Sequence, residues 1–212
     1  MAPVLRAGSN VATTGSGTGL TVAPTVPSGA VAGDLILIWC VSVQANTGFS
    51  APNFAAQLPN LTNASGMCQL LYYTMTGAEG WTPGTTTITV TGSETTVDSA
   101  TICAVGGWSG FDPPNFGQVN PGSLSINCSG IVTTQPNDLL LWFGFAGAGS
   151  GVSLSTLSVP AEFTAAISQV NTTRSSATNY GVIFGSATQA VAGATGAQNG
   201  SQTTSLGNGA QL

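Results

Sequence analysis

The sequence predicts an all-β fold, and three observations predict it. Thr and Val are abundant, and Gly and Pro (29 and 11 residues) punctuate the whole chain. No long stretch repeats its apolar residues with the helical period. The apolar runs are short, each bounded by Gly, Pro, Asn or Ser clusters, as strands in a sandwich or barrel are.

Taken in order, "TGLTVAP" at 18–24 reads as the first strand, followed by "DLILIWCVSV" at 34–43 and "GMCQLLYYTM" at 66–75. "TTTITVTG" at 85–92 alternates Thr with Ile88 and Val90, as a half-exposed strand should. "SATICAVGGW" at 99–108, "GSLSINCSGIV" at 122–132 and "DLLLWFGFAG" at 138–147 follow. "EFTAAISQV" at 162–170 has helix-permitting Ala, Glu and Gln, but the next residues, Asn-Thr-Thr, do not extend a helix, so it reads as a strand. "NYGVIFGSA" at 179–187 and "QTTSLGNGAQL" at 202–212 complete the set. The stretches 48–65 and 109–122 read as long loops, the kind that tend to carry contacts. The Gly-rich segments 7–19 and 192–208 would be flexible on their own. The expected organisation is an arm over 1–19, flexible or contact-making, and a single β-sandwich domain over 20–212, since no composition shift marks a second domain.

Two strands start alike. Gly33-Asp34 leads into one apolar run and Asn137-Asp138 into another, 104 residues later. Pro with Gly or Asn just upstream marks a turn, and the Asp closes it by accepting from nearby backbone N–H groups. The recurrence suggests two comparable strand starts, one per half of the fold. After Asp34, Leu35, Leu37, Trp39, Val41 and Val43 fall on one face, while Ile36, Ile38 and Cys40 fall on the other. A strand in a simple two-layer sandwich has one wet face. The second apolar face therefore calls for a loop, another subunit or a partner.

Composition excludes several functions. Only 4% of residues are charged, with Arg6 and Arg174 the sole bases, no His, and a net charge of −5. Two bases cannot neutralise a run of phosphates, so nucleic acid is not a partner. Nor can they form a basic membrane-surface patch. The apolar runs fall short of the about 20 residues a spanning helix needs. The N-terminal "MAPVLRAGSNVATTGSG" lacks the apolar core of a signal peptide, which points to a reducing site of synthesis.

No catalytic motif stands out, and the chain reads as a non-enzyme with no cofactor. Without His or Lys, Ser–His–Asp, Cys–His and Schiff-base chemistry cannot be built. The acids Glu79, Glu94, Asp98, Asp112 and Glu162 show no spacing that pairs two for glycoside hydrolysis. Cys40, Cys68, Cys103 and Cys128 form no CxxC unit and read as small buried apolar residues rather than a metal site. Trp39 and Trp142 lie inside apolar strands and read as core. Trp81 in "EGWTPG" and Trp108 at a strand end, with Phe111 and Asp112 in "GFDPPN", are the candidates for an exposed protein-contact or glycan platform.

"PSGAVAGDLILIWCVSV" at 27–43 resembles an opening motif common in phage virion proteins and related bacterial β-domains. "GWTPG" at 80–84, "ATICAVGGWSGFDP" at 100–113, the second Asp-led strand and "AVAGATGAQNG" at 190–200 fit the same loose pattern, which spans about residues 20–200. The resemblance implies a jelly-roll-like β-sandwich on a phage particle. The expected role is a capsid decoration (cement) protein on the capsid exterior, a homo-oligomer, expected to be a trimer, that contacts the major capsid protein. The alternative is a tail-fibre or tail-tip adhesin for a host-surface glycan. Low charge favours the first through dry contact, and long loops with exposed aromatics favour the second.

Overall fold

The computed structural model describes residues 2–13, 21–42, 48–56, 61–63, 66–93, 97–111, 120–148, 156–174 and 178–211. The protein is all-β. Among the described residues there is no helix, and every strand pairing of the two main sheets is antiparallel. Where the sequence shows one domain over 20–212, the structure resolves two compact units, Met1–Ser109 and Gly110–Leu212. Composition does not announce the division because both units are made of the same Thr-, Val- and Gly-rich strands.

The first unit contains β1 (Val4–Leu5), β2 (Asn10–Thr13), β3 (Thr21–Val22), β4 (Leu35–Ser42), β5 (Phe49–Ser50), β6 (Ala55–Ala56), β7 (Leu61–Asn63), β8 (Gly66–Thr74), β9 (Val90–Gly92) and β10 (Ser99–Gly106). Its main sheet runs β1-β10-β4-β8-β6, with β2 also on β10 and β7 also on β8. A smaller sheet runs β3-β9-β5. Ile36, Ile38 and Cys40 of β4, Ala100, Ile102 and Ala104 of β10 and Leu71 of β8 share one core with Val22, Phe49 and Val90 of the smaller sheet. The two sheets are therefore the layers of a sandwich, and each large aliphatic side chain buried between them contributes about 2 kcal/mol. Polar side chains stitch the layers together. Gln69 Oε1 accepts the Phe49 N–H at 2.8 Å. Asn10 accepts the Thr25 N–H at 3.0 Å and donates to the Thr25 carbonyl at 2.6 Å.

Two expectations that the sequence left open are decided here. Of the flexible and contact-making readings of the 1–19 arm, its described part takes the second: Val4 and Leu5 pair with Gly106 and Val105, and Asn10–Thr13 pair with Ile102–Ser99. The open edge of β10 offers ladder hydrogen bonds that a Gly- and Thr-rich segment can take up. Second, of the loop, subunit or partner called for over the other face of β4, the chain itself supplies the cover. Leu35, Leu37, Trp39 and Val41 are 0–3% exposed within the single chain.

The second unit contains β11 (Asn120–Ile126), β12 (Val132–Thr133), β13 (Asp138–Ala148), β14 (Leu157–Ser158), β15 (Thr164–Arg174), β16 (Thr178–Gln189), β17 (Gly193–Ala194) and β18 (Gly200–Gln211). Its main sheet runs β11-β18-β13-β16-β15, with β14 also on β18, beside a two-stranded β12-β17 sheet. The core gathers Ile126, Cys128, Leu140, Trp142, Leu157, Phe163 and Ile183. On the opposite side of β13 and β16, the Phe143 and Phe184 rings stack at 4.5 Å. The Gly-rich end of the chain is an inner strand, and Gly200 at its start leaves room for a large ring. The tip of the Trp142 indole occupies the space that a Cβ on Gly144 or Gly200 would fill.

The two units repeat one strand plan. In the first, β2-β10-β4-β8-β7 lie side by side, and in the second β11-β18-β13-β16-β15 do so in the same chain order. The short pairs β3-β9 and β12-β17 also correspond. In both, the Asp-led strand is central, as its apolar composition on two faces demands.

Candidate binding cleft and the acid-headed strands

Asp34 sits at the head of β4 and is 2% exposed. Gly33 before it holds φ at 91°, a left-handed conformation that glycine adopts without a Cβ penalty. Its N–H donates to the Met75 carbonyl at 2.7 Å, and the Asp34 N–H donates to the Val31 carbonyl at 3.1 Å. Asp34 Oδ2 accepts the Val31 N–H at 2.9 Å, closing the turn. Arg6 then grips the same carboxylate in a fork, with Nε to Oδ2 at 3.0 Å and Nη2 to Oδ1 at 2.9 Å. The bond and charge of Asp34 raise the Arg6 pKa further above neutrality. The guanidinium lies where a side chain at Gly106 would be.

The second unit repeats the device. Asn137 precedes Asp138 with φ at 64°, and its N–H donates to the Gln189 carbonyl at 2.8 Å, as Gly33 does to Met75. Asp138 Oδ2 accepts the Gln135 N–H at 3.3 Å, again three residues upstream. The four turn residues Gly33, Asp34, Asn137 and Asp138 thus hold the structural positions the sequence assigns them, one pair per unit. Asn serves in place of Gly because its short polar side chain tolerates the left-handed region.

A shallow cleft of about 480 Å³ opens in the first unit, lined by Asn53, Tyr73, Thr76, Ala78 and Glu79. Its floor is a turn after β8. Glu79 Oε1 accepts from the Tyr73 hydroxyl, the Thr76 N–H and the Thr76 hydroxyl, each at 2.6 Å, and Oε2 accepts the Gly77 N–H at 2.8 Å. Partial burial pushes the Glu79 carboxyl up, but the Thr76 hydroxyl, the Tyr73 hydroxyl and backbone N–H groups outweigh it and hold the pKa at about 2. The same hydrogen bond, with some burial, raises the Tyr73 phenol. Tyr73 faces Ile36 across the ladder and continues the core-facing side of β8 to the end of the sheet. There its ring meets Trp81 at 5.3 Å and Phe54 at 5.5 Å, and Phe54 stacks on Trp81 at 6.3 Å. Phe54 and Trp81 are half-buried against the core.

Of the four platform candidates, Trp81 is placed in this cluster. Trp108 is half-buried just past β10, Phe111 is 37% exposed, and Asp112 lies outside the described residues. The sequence reading missed Asn53, Phe54 and Tyr73. The signal that would have found them is the turn "TGAEG": a Thr and a Glu three residues apart cap each other, and the preceding Tyr is carried into that turn. Cys40, Cys68, Cys103 and Cys128 are buried free thiols, as the sequence suggests. Burial pushes Cys40 and Cys103 well up, and Cys128 up to about 12, so these three are not poised as nucleophiles.

Fold and site together define a two-unit antiparallel β-protein with a polar, aromatic-walled cleft. No family model, no curated protein and no solved structure matches the chain.

Proposed function

We propose that the chain is a non-enzymatic structural protein of a phage particle, with a jelly-roll-like plan, that decorates the capsid exterior as a homotrimer against the major capsid protein. The observation that carries this reading is the internal repeat. Two copies of one unit in one chain offer two related sets of loops and edges, which suits contact with the repeated subunits of a lattice and gains from bivalency. The chemistry of the surface agrees with it. Asp34, Glu79 and Asp138 are engaged in holding turns. Each unit carries an exposed valine at its acid-headed end, Val31 at 50% and Val191 at 73%. Contacts made this way are apolar and hydrogen-bonded, and little affected by salt. The aromatic cleft favours a second reading, a tail-associated adhesin.

Densitometry of purified particles tests the proposal. A decoration protein is present in copies comparable with the major capsid protein and stays bound in high salt. A copy number typical of a tail component refutes decoration and promotes the adhesin. Absence from the particle refutes both.

A further inference from the structure

We propose that the cleft lined by Asn53, Tyr73, Thr76, Ala78 and Glu79 binds a neutral saccharide. This goes beyond the decoration reading and holds whether the chain sits on head or tail.

The cleft has a preorganised aromatic wall. The Tyr73 ring is fixed at its hydroxyl by Glu79 and on its flank by Phe54 and Trp81. A rigid ring half-open to solvent presents a flat apolar face for the C–H face of a pyranose, and its preorganisation reduces the ordering entropy lost on binding. Around it stand the few well-placed polar groups that fix a ligand's orientation. The bonds from Tyr73, Thr76, Gly77 and its own backbone N–H hold the Glu79 carboxylate in the cleft lining as a fixed negative group. Asn53 is exposed and held at φ of 70° on the rim, with an amide that both donates and accepts. A carboxylate that stays ionised down to about pH 2, in a chain of net charge −5, repels sialic, uronic and sulfated sugars. The site therefore selects neutral glycans. Its shallow, open form fits one or two sugar rings rather than an enclosed small molecule.

The test uses the isolated full chain on an array of neutral and sialylated glycans, followed by calorimetric titration with the best neutral oligosaccharide. Neutral glycans should bind. Asn53→Gly keeps the left-handed backbone and removes the amide, and should weaken binding about tenfold, the worth of one good hydrogen bond. Tyr73→Ala should abolish it. If Tyr73→Ala fails to fold, as judged by circular dichroism, Asn53→Gly decides alone. Capture of sialylated glycans only, binding of none, or an affinity unchanged in the folded variants overturns the proposal. Particle copy number is a separate measurement, so the decoration reading and this one can fail independently.

Discussion

Gly200→Ala tests the packing that makes the second unit's Gly-rich end a strand. The Gly200 φ lies outside the left-handed region, so an alanine there carries no backbone strain. Absent a clash, such a change stabilises by about 0.4–1 kcal/mol through the unfolded chain. Here the new Cβ would stand 2.6 Å from Trp142 Cζ2 and 2.7 Å from the Ser158 carbonyl oxygen, where ordinary contact begins at 3.4 Å. Trp142 Cη2 lies closer still, so something must move by about 1 Å. The indole is fully buried, with Gly144 beside the same ring tip and its Nε1–H donating to the Gln198 carbonyl at 3.2 Å. Overpacking of one methyl costs about 1–3 kcal/mol, and losing that hydrogen bond about 1 more. We expect a net loss of about 2 kcal/mol and a melting temperature about 4–8 °C lower for a chain of this length, read by near-ultraviolet circular dichroism. Trp142→Phe alone should cost about 2 kcal/mol through the cavity it leaves. The double variant should cost less than the sum by at least about 1 kcal/mol, since the methyl fills part of that space. A Gly200→Ala protein as stable as wild type, or costs that simply add, would refute the reasoning.

Two further outcomes follow from the site. The Glu79 pKa is lowered on folding, so its contribution is fully present above about pH 4.5 and fades as the pH falls toward about 2. Urea midpoints at pH 5 and pH 2.5 should fall further for wild type than for Glu79→Gln, by about 1 kcal/mol after solvent screening; parallel curves would refute the cap. Asp34→Asn should lower the melting temperature more than Asp138→Asn, because only Asp34 is both 2% exposed and forked by Arg6. Equal shifts would mean that the arm contributes nothing to the turn.

The central strands were legible because their composition is extreme. β4, β8, β10, β13 and β16 fall within a residue or two of the runs that announce them. The 162–170 stretch is a strand, β15, as its following Asn-Thr-Thr suggests. Short pairings were not legible. β5, β6 and β7 lie inside the stretch read as one long loop, and β14 and β17 have two residues each. A two-residue strand has no periodicity; it exists because a neighbouring edge offers hydrogen bonds. The cleft was legible only in part, through Glu79 among the acids and Trp81 in the adjoining aromatic cluster, since Asn53 and Phe54 reach it from more than twenty residues away in the chain.

The sequence alone determined the β class, the twin Asp-led strands and the poverty of ionic and nucleophilic chemistry, because alternation, turn residues and residue counts are local properties. Tertiary structure decided the rest. It set the pairing order that reveals two repeated units, the burial of the second face of β4 within the chain, and the ordering of β2 and β18. It also brought Arg6 to Asp34 and Asn53 to Glu79. Each depends on which strand edge or ring meets which across tens of residues, and no local pattern encodes that choice.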